Sequence, residues 1–453
     1  MDISLVNLVS DSAFVAILLL VGVALRAHIL WVQKLFLPAS IIAGLLALLL
    51  GPNGLSWLPL SSNIAQYPGI LITFIFGSLA LNSGKFKFST AVKRAGNMWS
   101  YSAIGMIGMY SGGVFLTLLI LQRIWPDIPD GFGLLLGAGF IGGHGTAAAV
   151  GGIFESNGWA GATSLAMTSA TIGVLVSILG GVWIIRQNVK RGKSNFISDF
   201  DSLSVELRTG LVPDEKRVKT DLETVSSMTI DPLLFHGVMV LIVSGLSFWC
   251  QAAIKEVFDF PAPTFALAFI IGLVVNSLLS KLKVKPYINP SVINSIGGAS
   301  TDMLVVFGIA SINLAVAGQY FAPLALLMVF GVWFSYVMLK YISPKFYAQF
   351  CFEKSIFGWG WFTGTVAMGI ALLRIVDPKS ESKTLDEFGF AYIMTAPLEM
   401  MVITMSPLIL LSGGGWLYVG GCFLTCAIIY VVCTVLNRKT QCLKRQASNE
   451  YCL

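Results

Sequence analysis

Apolar runs long enough to cross a lipid bilayer recur from one end of this chain to the other, and nothing in the sequence constrains its fold more. A hydrocarbon core about 30 Å thick takes about 20 consecutive apolar residues as a helix. The 453 residues are 56% hydrophobic and 11% charged, and the mean hydropathy is +0.80. That balance excludes an ordinary soluble domain and predicts an all-α integral membrane protein with the bilayer as its main partner. Spans are predicted near 12–31, 35–50, 65–82, 98–121 and 160–185, then near 232–254, 262–280, 292–316, 322–341 and 388–411, with an extra C-terminal span near 415–436. The second is short and opens at Pro38, which predicts a broken or tilted helix.

Two further apolar stretches read differently. The run Gly137-Ala-Gly-Phe-Ile-Gly-Gly-His-Gly-Thr-Ala-Ala-Ala-Val-Gly-Gly152 holds too many glycines for a plain lipid-facing helix. At membrane depth, irregular backbone survives only where protein or a water-filled cavity covers it. The run therefore predicts a re-entrant hairpin over 132–156, with Gly142, Gly143, His144, Gly145 and Thr146 at its tip and a new helix starting near Thr146. Free N–H groups and the positive end of a helix dipole suit such a tip to an anion. The alternative is a Gly-rich packing face between helices. A second hairpin is predicted over 352–375, with Gly360, Thr363, Gly364 and Thr365 in the corresponding place.

Charge fixes the orientation expected. With the N-terminus outside and every span a crossing, Arg26, Lys34, Lys85, Lys87, Lys93, Arg94, the central loop, Lys281, Lys283, Lys285, Lys340, Lys345 and the tail cluster Arg438, Lys439, Lys444 and Arg445 fall inside. Of 29 Lys and Arg, Arg123 and Lys255 alone fall outside, as the positive-inside rule demands. The map puts the C-terminus in the cytoplasm and requires that neither hairpin cross. Asp2 and Asp11 precede the first run and no signal peptide is evident, so that run is expected to stay in the mature protein.

The two halves match in order. Leu37-Pro38-Ala39 faces Phe260-Pro261-Ala262, and Phe76-Gly77 with Asn82 faces Phe307-Gly308 with Asn313. Gly145-Thr146 faces Gly364-Thr365, and Met167-Thr168 faces Met394-Thr395. Five crossings precede the linker, and five is odd, so the second half inserts upside down. The expected architecture is two inverted five-helix repeats, each with a re-entrant hairpin, over 1–185 and 231–411. A mixed-charge cytoplasmic linker, 186–230, joins them as a tether or a regulatory segment, and 412–453 carries the extra span and tail.

Seven cysteines and three histidines are too scattered for metal-ligand spacing, so no transition metal and no organic cofactor is expected. No nucleophile–base pair, phosphate-binding Gly-rich loop or nucleic-acid-binding feature is visible, which argues against an enzyme, an ATP-driven pump and a nucleic-acid partner. A channel or a transport-inactive receptor remains the rival class.

Gly142-Gly143-His144-Gly145-Thr146, followed by Ala166-Met167 and Ala170-Thr171-Ile172-Gly173, resembles the first-half signature of the bacterial sodium/glutamate symporter family. Span order and hairpin placement are similar over nearly the whole chain. The second hairpin, Phe357-Gly358-Trp359-Gly360-Trp361-Phe362-Thr363-Gly364-Thr365, is similar to the Phe-Gly-x-Gly pattern but carries Thr-Gly-Thr where Thr-Pro-Thr is expected in the glutamate carriers. Glu399 stands where an apolar residue is expected. The chain resembles a divergent branch of that family.

The resemblance implies sodium-coupled symport of glutamate or a related small carboxylate across the bacterial inner membrane. It also implies an elevator-type mechanism and a homodimer. The substrate-binding set expected is Gly142, Gly143, His144, Gly145 and Thr146 with Gly360, Thr363, Gly364 and Thr365. His144 either contacts substrate or holds the hairpin to a neighbour. Asp302 and Glu399 are the carboxylates deepest in apolar spans, where a charge calls for a ligand, ion or partner by default. With Asn82, Asn313 and Thr395 they form the expected sodium set, and Glu399 alternatively carries a proton, which would make the chain a proton-coupled carrier of another organic anion. Glu155 and Arg374 are expected to anchor the far ends of the hairpins, and Arg374 is the one buried-looking cation that could pair a substrate carboxylate.

Overall fold

The computed structural model describes residues 5–35, 37–82, 88–190, 209, 211, 224–225, 228–258, 262–377 and 381–448. Most of the segment read as a linker lies outside the described residues, as do Asp2, Lys85, Lys87, Phe260 and Pro261, on which the charge pattern and the repeat draw. Among the described residues the regular structure is helical. The longer helices are α1 (Leu5–His28), α2 (Ala39–Leu50), α3 (Tyr67–Leu81), α4 (Phe88–Leu116), α5 (Leu134–Phe140), α6 (Gly143–Ser156) and α7 (Ala162–Lys190). After the central segment come α8 (Pro232–Phe258), α9 (Thr264–Lys281), α10 (Pro290–Ala310), α11 (Phe321–Val337), α12 (Cys351–Val376), α13 (Thr384–Leu411) and α14 (Gly415–Ser448).

Among the described residues, 11 helices are long and apolar enough to cross a membrane, so the chain is a multi-pass membrane protein. The set differs from the expected one at two places. α2 has 12 residues, about 18 Å at 1.5 Å per residue, which falls short of a hydrocarbon core of about 30 Å. α12 has the length to cross, yet it is not one rod. Gly364 (φ −154°) and Thr365 (φ 81°) leave helical geometry in its middle. A Cβ on Gly360 would stand 2.6 Å from the Cα of Gly369, and one on Gly369 would stand 2.8 Å from the carbonyl oxygen of Phe357. Residues nine and twelve positions apart meet in this way only if the arms fold back on each other.

α5 and α6 form the other folded-back pair: a Cβ on Gly131, just ahead of α5, would strike the Phe154 ring near the end of α6. Each pair follows a helix that ends in a π turn, Thr117–Leu121 after α4 and Met338–Ile342 after α11. The same interval in sequence separates Thr117 from Gly143 and Met338 from Gly364.

The helices form two bundles. α1, α2, α3, α8, α9 and α10 pack on one another, with Val15, Ala43, Ala47, Tyr67 and Phe307 at one end of their core and Leu81, Val240, Val243 and Ala268 at the other. A buried carboxylate ties this bundle together: Asp11 accepts from Ser61 N (2.9 Å), Ser61 Oγ (2.5 Å) and Tyr67 Oη (2.7 Å). The second bundle gathers α4 to α7 and α11 to α14 around a large core that includes Tyr110, Phe140, Phe357 and Trp361. The bundles touch each other sparsely, chiefly through α3 and α10 against α6 and α7.

Candidate functional site

Both folded-back pairs hang from one helix. Ser169 Oγ on α7 donates to Leu135 O (2.8 Å) in the first pair. In the second, Trp359 Nε1 donates to Ser177 O (3.1 Å) and Ser177 Oγ donates to Gly360 O (3.1 Å). His144 Nε2 lies 3.1 Å from Thr171 Oγ1, whose own proton goes to Met167 O (2.9 Å). The Thr171 hydroxyl is therefore left to accept, and the imidazole donates through Nε2. His144 is thus fixed to a neighbour, as one of its two readings from sequence expects, and it also lines the cavity described below.

The two bends meet. Gly143 has φ +65°, in the left-handed region that favours glycine, and a Cβ placed on it would run into Thr365 Cγ2. α6 begins at this bend with no side-chain cap, so its first N–H groups have no partner within the helix. Thr365, at φ 81° and ψ 164°, occupies a region of backbone space that is nearly glycine-only, and a β-branched residue there carries strain of about 1–3 kcal/mol. Thr365→Gly is therefore expected to raise the melting midpoint by a net gain of about 1 kcal/mol, since the added freedom of the unfolded chain takes back part of the relief. It is also expected to weaken substrate binding. Thermal melting with and without ligand checks both signs, and a lowered midpoint would count against strain at this bend.

A cavity of about 500 Å³ opens where the bends meet the other bundle. The first bend contributes Gly142, His144, Gly145 and Thr146, and the second contributes Thr365 and Val366. Ser40 from α2, Ser78 from α3, Asn294, Thr301 and Asp302 from α10, and Tyr392 and Glu399 from α13 add to its polar lining. Asp302 and Glu399 are its carboxylates, and no Lys or Arg lines it among the described residues. Glu399 Oε2 accepts from Tyr392 Oη (3.3 Å). Holding a charged carboxylate at membrane depth costs roughly 2.5–3.5 kcal/mol or more, so its retention beside a cavity calls for a ligand. The Ser78 hydroxyl, 3% exposed, has no hydrogen-bond partner. It faces Gly297 of α10, one turn before Thr301. A buried hydroxyl without a partner, in the lining of a cavity that also holds Asp302, suits a cation that prefers oxygen ligands.

The other expected residues stand elsewhere. Gly143 presses on Thr365, while Gly360, Thr363 and Gly364 lie within the arms of α12, where Thr363 Oγ1 donates to Trp359 O (2.7 Å). Asn82 Nδ2 donates to Asn294 Oδ1 (2.6 Å) and Pro290 O (3.0 Å), Asn313 Oδ1 caps the short helix Leu314–Gln319, and Thr395 Oγ1 donates to Ala391 O (3.0 Å). None of these three lines the cavity. Arg374 is exposed and away from it, which corrects the reading of a buried cation. Glu155 Oε1 accepts from Thr163 N (3.2 Å), joining the end of α6 to α7.

Sequence reasoning missed Ser78 and Tyr392. Tyr392 lies seven residues before Glu399, two turns along one helix face, and that spacing was the available signal.

No curated protein matches the chain. The family model described as sodium/glutamate symporter matches residues 5–348, which takes in the first bend, Ser78 and Asp302 and stops short of α12 and Glu399. The match covers about three-quarters of the sequence, and the chain belongs to the sodium/glutamate symporter family.

Proposed function

We propose that this protein is a secondary active transporter that couples inward movement of sodium to uptake of glutamate or a related small carboxylate. The observation that carries the reading is the meeting of Gly143 and Thr365 at one cavity between two bundles. Family membership supports sodium coupling. The unpaired N–H groups at the start of α6 suit a substrate carboxylate, with Thr146 and Thr365 beside them. Ser78, Thr301 and Asp302 supply oxygens for sodium, and Asp302 is the residue of the expected sodium set that we keep in that role.

The folded-back pairs are read as re-entrant hairpins, and the two halves, 1–185 and 231–411, as inverted repeats. The in-order matches between the halves and the similar spacing of the two π turns from the two bends support this. The apolar, sparsely bonded seam between the bundles supports an elevator. Across it Met167 packs against Gly308, and Asn313 N donates to Ser164 Oγ (2.7 Å). The hairpin bundle would carry substrate against a static partner. The distribution of Lys and Arg supports an N-terminus outside and a cytoplasmic C-terminus in the bacterial inner membrane. A homodimer completes the reading.

Purified protein in sealed vesicles is expected to take up glutamate in sodium buffer, to lose uptake when choline replaces sodium, and to show counterflow with internal substrate. Flux without counterflow would identify a channel. Full uptake driven by a proton gradient without sodium would reassign the coupling ion.

A further inference from the structure

We propose that Glu399 reads the substrate's amino group, so that the site takes α-amino carboxylates and turns away dicarboxylates of the same length that lack the amine. This rests on the reading of the cavity as the carboxylate-binding site of a carrier. Tyr392 Oη is the hydrogen-bond partner that Glu399 has, and it uses one of about four acceptor positions on an ionised carboxylate. The remaining positions face a cavity with no Lys or Arg among its described lining residues. A ligand that binds there must bring positive charge or hydrogen-bond donors to this wall.

The surroundings separate an ammonium from a metal cation. A hard cation needs several oxygens at once. Of the described lining residues that α12 and α13 contribute with Glu399, Thr365 and Tyr392 alone carry a side-chain oxygen, both of them neutral hydroxyls, and the others include Trp361, Met368, Ala396 and Met400. A sodium ion at Glu399 would have one carboxylate and two hydroxyls around it, whereas the wall on α3 and α10 offers Ser78, Asn294, Thr301 and Asp302, a denser set of oxygen-bearing side chains with its own carboxylate. An ammonium brings three donors, one or two of which a carboxylate satisfies, and it gains further from aromatic faces such as those of Tyr392 and Trp361. Glu399 and the first bend line the same cavity, so an α-amino acid can place its carboxylate at the start of α6 and its amine at α13. Pro397, two residues ahead of Glu399, takes one N–H out of the α13 ladder, which leaves the turn before this side chain with a bond missing.

The test is equilibrium binding to the purified full chain at saturating sodium, with L-glutamate and with glutarate, which has the same carbon chain and no amine. The wild type is expected to prefer glutamate by at least about tenfold. Glu399→Gln is expected to bring the two within about twofold, by weakening glutamate while glutarate stays the same or tightens, with the half-saturating sodium concentration unchanged. Glu399→Asp is expected to restore part of the preference. Equal affinity of the wild type for both ligands overturns the proposal without any variant. A preference that survives Glu399→Gln overturns it as well. Equal weakening of both ligands with a shifted sodium requirement would make Glu399 an ion ligand instead. If the wild type binds neither carboxylate, the carrier reading itself fails, and the wild-type arm alone reports that.

Discussion

Gly143→Val is expected to abolish saturable uptake while the protein still inserts and purifies as a single species. Two effects add at this position. The backbone stands at φ +65°, where a residue with a Cβ is strained by about 1–2 kcal/mol and a β-branched one by more. The added Cβ also points at Thr365 Cγ2, so the bends can close only if one of them retreats. The rest of the protein is held by cores that do not depend on this contact, and no charge enters the membrane. Gly143→Ala is expected to lie between wild type and valine. Gly152→Ala, on the same helix with open space around it, is expected to leave uptake unchanged. Vesicle uptake and gel-filtration profiles of the three variants check this. Wild-type affinity in a well-folded Gly143→Val protein would mean that the bends need not touch.

Gly360→Leu is expected to have the largest effect on stability. The two arms of α12 approach so closely that a Cβ here would meet Gly369 Cα at 2.6 Å and Gly369 N at 2.7 Å. These are backbone atoms, which cannot rotate aside. Overpacking of this kind costs about 1–3 kcal/mol or more, and relief requires the arms to part. Parting them would draw Gly360 O away from Ser177 Oγ and Thr365 away from Gly143. A lowered melting midpoint in detergent together with lost binding is the expected result. An unchanged midpoint would mean that the arms are not packed at this glycine.

Hydropathy made the membrane class and most of the helices legible, because length and apolarity are local properties. The two bends were legible too, through glycines in places where a lipid-facing helix has no use for them. The position of each bend residue was less so. Gly364 and Thr365 were both expected at the second bend, but the left-handed backbone falls on the threonine, a residue whose own preference argues against it. The residues proposed for sodium were the least legible. Asn82, Asn313 and Thr395 are polar residues in apolar surroundings, as Ser78 is. What separates them is whether another group already uses the side chain, and that depends on partners about 200 residues away for Asn82 and on the local turn for Asn313 and Thr395. Asp302 and Glu399 stood out in the sequence as carboxylates inside apolar runs, and both line the cavity.

The π turns ahead of the two bends govern direction as well as length. A π turn adds a residue to an α-helix without adding a turn, and one residue corresponds to a rotation of about 100°. Thr117–Leu121 and Met338–Ile342 therefore work as angular offsets, each setting the direction in which the next segment leaves its helix. The left-handed residue follows the start of its π turn by 26 residues in the first half, at Gly143, and by 27 in the second, at Thr365. A residue gained or lost at either turn is expected to rotate the segment that follows by about 100°, so chain length at these two places matters to the bends as residue identity does.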